Sequence, residues 1–153
     1  MKILIIGSGG REHAMAWKAA QNPQVSKIYI APGNGLTAIE SKCENINLCS
    51  NDDLLDFAQS EKIDLTIVGP EVPLMDGIVD KFHENGLKIF GPDKKAAMLE
   101  GSKSFAKAFM KKHNVRTVEY EEFNDFSKAT EYIKHCRYPL VIKADGLAAG
   151  KGV

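Results

Sequence analysis

Lys2-Ile3-Leu4-Ile5-Ile6-Gly7-Ser8-Gly9-Gly10-Arg11-Glu12-His13 is the stretch that decides the fold class. Its first half is continuously apolar, as a strand buried on both faces must be. Gly7-Ser8-Gly9-Gly10 reads as a turn, and Glu12 to Gln21 as a helix with His13, Ala16, Trp17 and Ala20 on one face. A strand, a glycine turn and a helix N-terminus together make an anion site. Unpaired N–H groups point outward there, the helix dipole favours negative charge, and glycine lets a phosphate approach the backbone. Gly7, Gly9 and Gly10 therefore predict a phosphate ligand.

The dinucleotide fingerprint G-x-G-x-x-G is incomplete, because Glu12 stands where the third glycine belongs. The acid that binds a ribose is also missing from Tyr29-Ile30-Ala31-Pro32, where the second strand ends. A nicotinamide-binding oxidoreductase domain is one alternative reading, and a non-catalytic phosphate- or nucleotide-binding module is another.

The alternation continues outward from this stretch. Strands are expected at Lys27–Ala31, Asn45–Leu48, Asp64–Gly69 and Lys88–Gly91, with helices at Asp53–Glu61 and Leu74–Asn85. Such a pattern predicts an α/β fold, a mostly parallel sheet with helices on both faces and ligands at the carboxyl ends of the strands. After Gly91-Pro92 the pattern changes. Helices are expected at Asp93–Glu100, Ser102–His113 and Ser127–Cys136, and strands at Thr117–Phe123 and Leu140–Ala144. A domain boundary is expected near Gly91–Gly101.

Lys and Arg number 20 and Asp and Glu 20, a balance that argues against a nucleic-acid partner. No apolar run approaches the roughly 20 residues of a membrane helix, which argues against a membrane partner. The three cysteines, Cys43, Cys49 and Cys136, lack C-x-x-C spacing and predict neither a zinc site nor a disulfide framework. The expected location is cytoplasmic.

Near the end lies a second glycine loop, Gly146-Leu147-Ala148-Ala149-Gly150-Lys151-Gly152. It is not a P-loop: one residue too few separates the glycines, and Gly152 replaces the Ser or Thr. Lys143, on an otherwise apolar strand, and Lys151 call for an anionic partner, and a nucleoside triphosphate fits. Lys103 opens a helix against the dipole, which also suits a ligand. The apolar run Leu140-Val141-Ile142 and its glycine loop have no returning strand before Val153, so the chain reads as a fragment.

Five stretches together resemble the phosphoribosylamine–glycine ligase family of the ATP-grasp superfamily. They are Gly7–His13, Ala31-Pro32-Gly33-Asn34, Thr66–Glu71, Leu99–Lys103 and Ile142–Val153. The resemblance implies a Rossmann-like (pre-ATP-grasp) domain over residues 1–101 and a truncated start of an ATP-grasp domain over 102–153, with a lid from about Tyr120. It implies ATP-dependent ligation of glycine to 5-phosphoribosylamine through a glycyl phosphate, the second step of de novo purine biosynthesis. Gly9, Gly10, Arg11 and Glu71 would face the phosphoribosyl substrate. Lys103, Lys143, Asp145, Gly146, Leu147, Ala148, Ala149, Gly150, Lys151 and Gly152 would face ATP. Magnesium or manganese would be held beyond Val153, so the fragment is expected to be inactive alone and able to self-associate, the full-length protein being a monomer. In Gly35-Leu36-Thr37 the first two residues, and further on Arg116, depart from the family's usual residues.

Overall fold

The structure, a computed structural model, describes residues 1–147. The chain divides into two compact units, Met1–Ala97 and Met98–Val153. The first unit runs β1 (Lys2–Gly7), α1 (Gly10–Ala20), β2 (Lys27–Pro32), β3 (Cys43–Asn45), α2 (Asn51–Ser60), β4 (Leu65–Val68), α3 (Glu71–Met75), α4 (Ile78–Glu84) and β5 (Ile89–Phe90). Its five strands form one parallel sheet in the order β3-β2-β1-β4-β5. In the central register Ile5 lies between Ile30 of β2 and Ile67 of β4.

The apolar run of β1 is explained by its two covered faces. Ile3 and Ile5 pack with Ala16 of α1 and with Val25, Ile28 and Ile30. Leu4 and Ile6 pack with Leu54 of α2 and with Ile78 and Phe82 of α4. Burying one such aliphatic side chain contributes about 1.5–3 kcal/mol. Ser50 caps the start of α2, its Oγ accepting the Asp53 N–H at 3.1 Å.

Two expectations about helices are corrected. Trp17 does not share the buried face of α1: it is 53% exposed, and Glu12 is buried beside Ala16 instead. The single helix expected over Leu74–Asn85 is two, because Gly77 takes φ +84°, a left-handed conformation that interrupts the helix between α3 and α4.

The second unit contains α6 (Lys103–Lys112) and α7 (Phe126–His135), and the division between units falls within α5 (Lys94–Gly101). The strands expected at Thr117–Phe123 and Leu140–Ala144 do not form. A strand needs a partner for its backbone groups, and none pairs with either stretch among the described residues. Their apolar side chains stay open to water: Val118 is 76% exposed, and Val141 and Ile142 66% each. Among the described residues no helix is long and apolar enough to cross a membrane.

Amide hydrogen exchange should follow this contrast. Protection is expected to be high in Ile3–Ile6 and Leu65–Val68 and near zero at 117–123 and 140–144. Equal protection in all four stretches would mean that the second unit forms strands after all.

Candidate functional site

β1 and β4 are neighbours, but their connections leave in opposite directions along the sheet, so the crevice beyond their carboxyl ends is the topological switch point. Gly7-Ser8-Gly9-Gly10 lines one side and Gly69-Pro70-Glu71 the other. Gly9 is the N-cap of α1 and has no side chain to offer the helix. Glu12 supplies the reciprocal half of a capping box, its Oε2 accepting the Gly9 N–H at 2.6 Å. The helix ladder begins at His13, whose N–H donates to the Gly9 carbonyl at 3.1 Å. The N–H groups of Gly10 and Arg11, in the first turn, precede any helical acceptor and face out of the helix end.

Arg11 leans across the crevice and donates from Nη2 to Glu71 Oε1 at 3.3 Å. The Glu71 carboxyl is held below the usual carboxylate range, first by its own backbone N–H and then by Arg11, with partial burial opposing both. The structure thus brings Gly9, Gly10, Arg11 and Glu71 together.

Three supports of this turn escaped the sequence reading. The Glu12 side chain is 4% exposed and lies against Gly7, Gly9 and Gly69. Asn34 Nδ2 donates to the Ser8 carbonyl at 2.9 Å and the Gly9 carbonyl at 3.4 Å, while its Oδ1 accepts the Leu36 and Thr37 N–H groups. Asn45 closes the network: its Oδ1 accepts the Thr37 hydroxyl at 2.7 Å and its Nδ2 donates to the Asn34 carbonyl at 2.8 Å. An Asn directly after Pro32-Gly33 was the available signal, since such residues bond their own loop backbone. His13 is engaged structurally, its Nε2 lying 2.8 Å from Glu40 Oε1.

In the second unit, Lys103, Asp145 and Gly146 meet at the start of α6. Ser102 Oγ accepts the Phe105 N–H and donates to Asp145 Oδ2, each at 3.1 Å. Asp145 Oδ1 accepts the Lys103 N–H at 2.7 Å and the Ser104 N–H at 3.2 Å. These bonds, the one from Ser104 first, hold the Asp145 carboxyl down to about 2. Lys103 Nζ donates to the Gly146 carbonyl at 2.8 Å. Lys143 is exposed rather than half-buried, because the strand expected to carry it is absent, and Leu147 is exposed as well. Ala148, Ala149, Gly150, Lys151 and Gly152 lie outside the described residues.

A doubly wound α/β unit with a glycine turn and an arginine at its switch point is a phosphate-binding architecture. Comparison with known proteins makes this specific. The family model described as "Phosphoribosylglycinamide synthetase, N domain" matches residues 1–100, and "Phosphoribosylglycinamide synthetase, ATP-grasp (A) domain" matches residues 101–153. The chain belongs to the phosphoribosylglycinamide synthetase family. Over its whole length it is 67% identical to a phosphoribosylamine–glycine ligase of Clostridium acetobutylicum and 57% identical to that of Escherichia coli strain K12. It spans 37% and 36% of those two relatives. The crystal structure of the Thermotoga maritima phosphoribosylamine–glycine ligase matches 99% of this chain, over 35% of its own, at 34% identity and TM-score 0.73. The biotin carboxylase domain of a Hydrogenobacter thermophilus 2-oxoglutarate carboxylase matches 97% of this chain and 36% of its own at 19% identity and TM-score 0.72, a likeness of fold alone.

The Asp145 cap should show itself in solution. Because folding lowers the Asp145 pKa from 3.8 to about 2, its contribution is complete above pH 3.8 and is lost as pH falls through about 2. The Lys103 and Ser104 amide proton shifts, followed by NMR, should titrate with a midpoint near the folded value. Asp145→Ala should abolish that titration.

Proposed function

We propose that this chain serves the ATP-dependent ligation of glycine to 5-phosphoribosylamine, giving glycinamide ribonucleotide, ADP and phosphate in the cytoplasm. The observation that carries the reading is the switch-point turn, where the first helical N–H groups, of Gly10 and Arg11, lie at the helix end and the Arg11 guanidinium reaches across the crevice to Glu71. Family membership supplies the reaction. In this reading residues 1–101 form the substrate domain and residues 102–153 begin the ATP-grasp domain. The ribose phosphate sits on Gly9, Gly10 and Arg11, and Glu71 keeps the guanidinium aimed across the crevice.

ATP phosphorylates the glycine carboxylate, the phosphoribosyl amine attacks the acyl carbon, and phosphate leaves. Lys103 and Lys143, with Asp145, Gly146 and the residues from Leu147 to Gly152, face the nucleotide. Each lysine acts as a point charge against the charge that builds on the transferred phosphoryl group. Lys103 fits this role because its ammonium is already held at the Gly146 carbonyl. Magnesium would supply neutralisation of the phosphate charge in such chemistry. Among the described residues no group of three or more His, Cys, Asp or Glu side chains could hold it, and no step here runs through it.

Calorimetry tests the phosphate seat. Ribose 5-phosphate should bind saturably and NAD should not, and Arg11→Ala should weaken the sugar phosphate by about tenfold, or 1.4 kcal/mol. Saturable NAD binding near micromolar affinity, with none for ribose 5-phosphate, would favour the oxidoreductase reading. Phosphate release tests the reaction. A chain of the relatives' length that carries these residues should need ATP, glycine and phosphoribosylamine together, and Lys143→Ala should cost about 10²-fold or more in kcat. The 153 residues alone should stay at the blank rate.

A further inference from the structure

We infer that Glu12 sets the size of the ligand: its carboxylate fills the place that a second phosphate would take and restricts the switch-point turn to a monophosphate. This rests on the reading of that turn as a phosphate seat. In a dinucleotide fold the first glycine makes the tight turn, the second lets the backbone approach the pyrophosphate, and the third, in the first turn of the helix, lets that helix pack close to the strand. Here Gly7 and Gly9 keep their places and Glu12 holds the third.

The side chain does not point to solvent from there. It folds under the turn and is 4% exposed. A Cβ built on Gly7 would fall 2.6 Å from Glu12 Cγ, and one on Gly9 2.8 Å from Oε2. A Cβ on Gly69, across the crevice, would overlap Oε1 outright. The glycines on both sides therefore make room for a carboxylate rather than for a pyrophosphate.

The two oxygens show what that carboxylate displaces. Oε2 takes the Gly9 N–H at 2.6 Å, one of the donors an open turn would offer a ligand. Oε1 is buried in the crevice with no hydrogen-bond partner among the described residues, in a place where a carboxylate oxygen ordinarily finds one. Outward of it remain the Gly10 and Arg11 N–H groups and the Arg11 guanidinium, enough donors for one phosphate group.

The test compares ADP-ribose, which carries a pyrophosphate, with ribose 5-phosphate, by calorimetry on this chain. Glu12→Gly restores the full fingerprint, and Glu12→Ala does nearly the same with a residue that favours the helix. In whichever of the two is folded by circular dichroism, the affinity ratio of ADP-ribose to ribose 5-phosphate should rise by about tenfold or more. Glu12→Gln, of equal size, should keep the wild-type ratio. A merely structural role for Glu12 would weaken both ligands together and leave the ratio alone. An unchanged ratio in folded Glu12→Ala, no measurable ADP-ribose binding by it, or an equal rise in Glu12→Gln overturns the inference. Wild-type protein that ignores ribose 5-phosphate would instead sink the phosphate reading, while a gain of ADP-ribose binding in Glu12→Ala would still support the role of Glu12.

Discussion

Strand β1 has a partner on each edge and packing on each face, and every side chain from Ile3 to Ile6 is excluded from water. The rest of the first unit follows from that enclosure. Hydrophobicity alone would not fix the register of so uniform a strand, since a one-residue slip would still bury apolar groups. Its carboxyl end fixes it. The Ile6 carbonyl accepts the Gly69 N–H at 3.0 Å and the Gly7 carbonyl accepts the Gly33 N–H at 3.1 Å. Both neighbouring turns are thus tied to the last residues of β1, and a slip would pull Glu12 out of its crevice. The same bonds that lock the sheet bring Gly9, Arg11 and Glu71 to one place.

Much of this is legible in the sequence, and the exceptions have physical causes. β1, β2 and β4 are mostly apolar runs ended by turn residues, so their positions are plain. Gly77 is one glycine in a helical pattern, and only the backbone shows that it is left-handed. Trp17 has helical spacing with His13 and Ala20, but spacing does not say how wide the buried stripe is, and a charged Glu12 would not be sought inside it. Thr117–Phe123 and Leu140–Ala144 have strand composition, yet composition does not supply a partner. For the site, Gly9, Gly10 and Arg11 are announced by their pattern. Glu12 is visible only as a broken fingerprint, and its compensating role depends on Gly69, far away in the chain.

Two helix starts in this chain handle the same problem in opposite ways. α1 has a glycine cap, and Glu12 answers it by accepting the cap's own N–H, which leaves the first helical donors available. α6 has Ser102 and the distant Asp145, which between them take the Lys103, Ser104 and Phe105 N–H groups. In the proposed reading an anion at α1 would meet open backbone donors, whereas at α6 it would meet lysine side chains instead. That division suits a small, fixed phosphate on the first unit and a longer, more mobile polyphosphate on the second.

The Asn34 network has a consequence for how salt acts on this molecule. The bonds from Asn34 to Ser8, Gly9, Leu36 and Thr37, and onward to Asn45, join uncharged groups. Ion pairs such as Lys2–Glu61 and Lys27–Glu44 lie instead at the amino ends of the strands. Mobile ions screen the second kind of contact and barely touch the first. Raising ionic strength therefore leaves the Asn34 network in place, while it weakens the exposed pairs, the Arg11–Glu71 pair across the crevice among them. Any decline in anion affinity with added salt then reports on the ligand's charge and on Arg11 with its Glu71 partner, and not on the Asn34 loop.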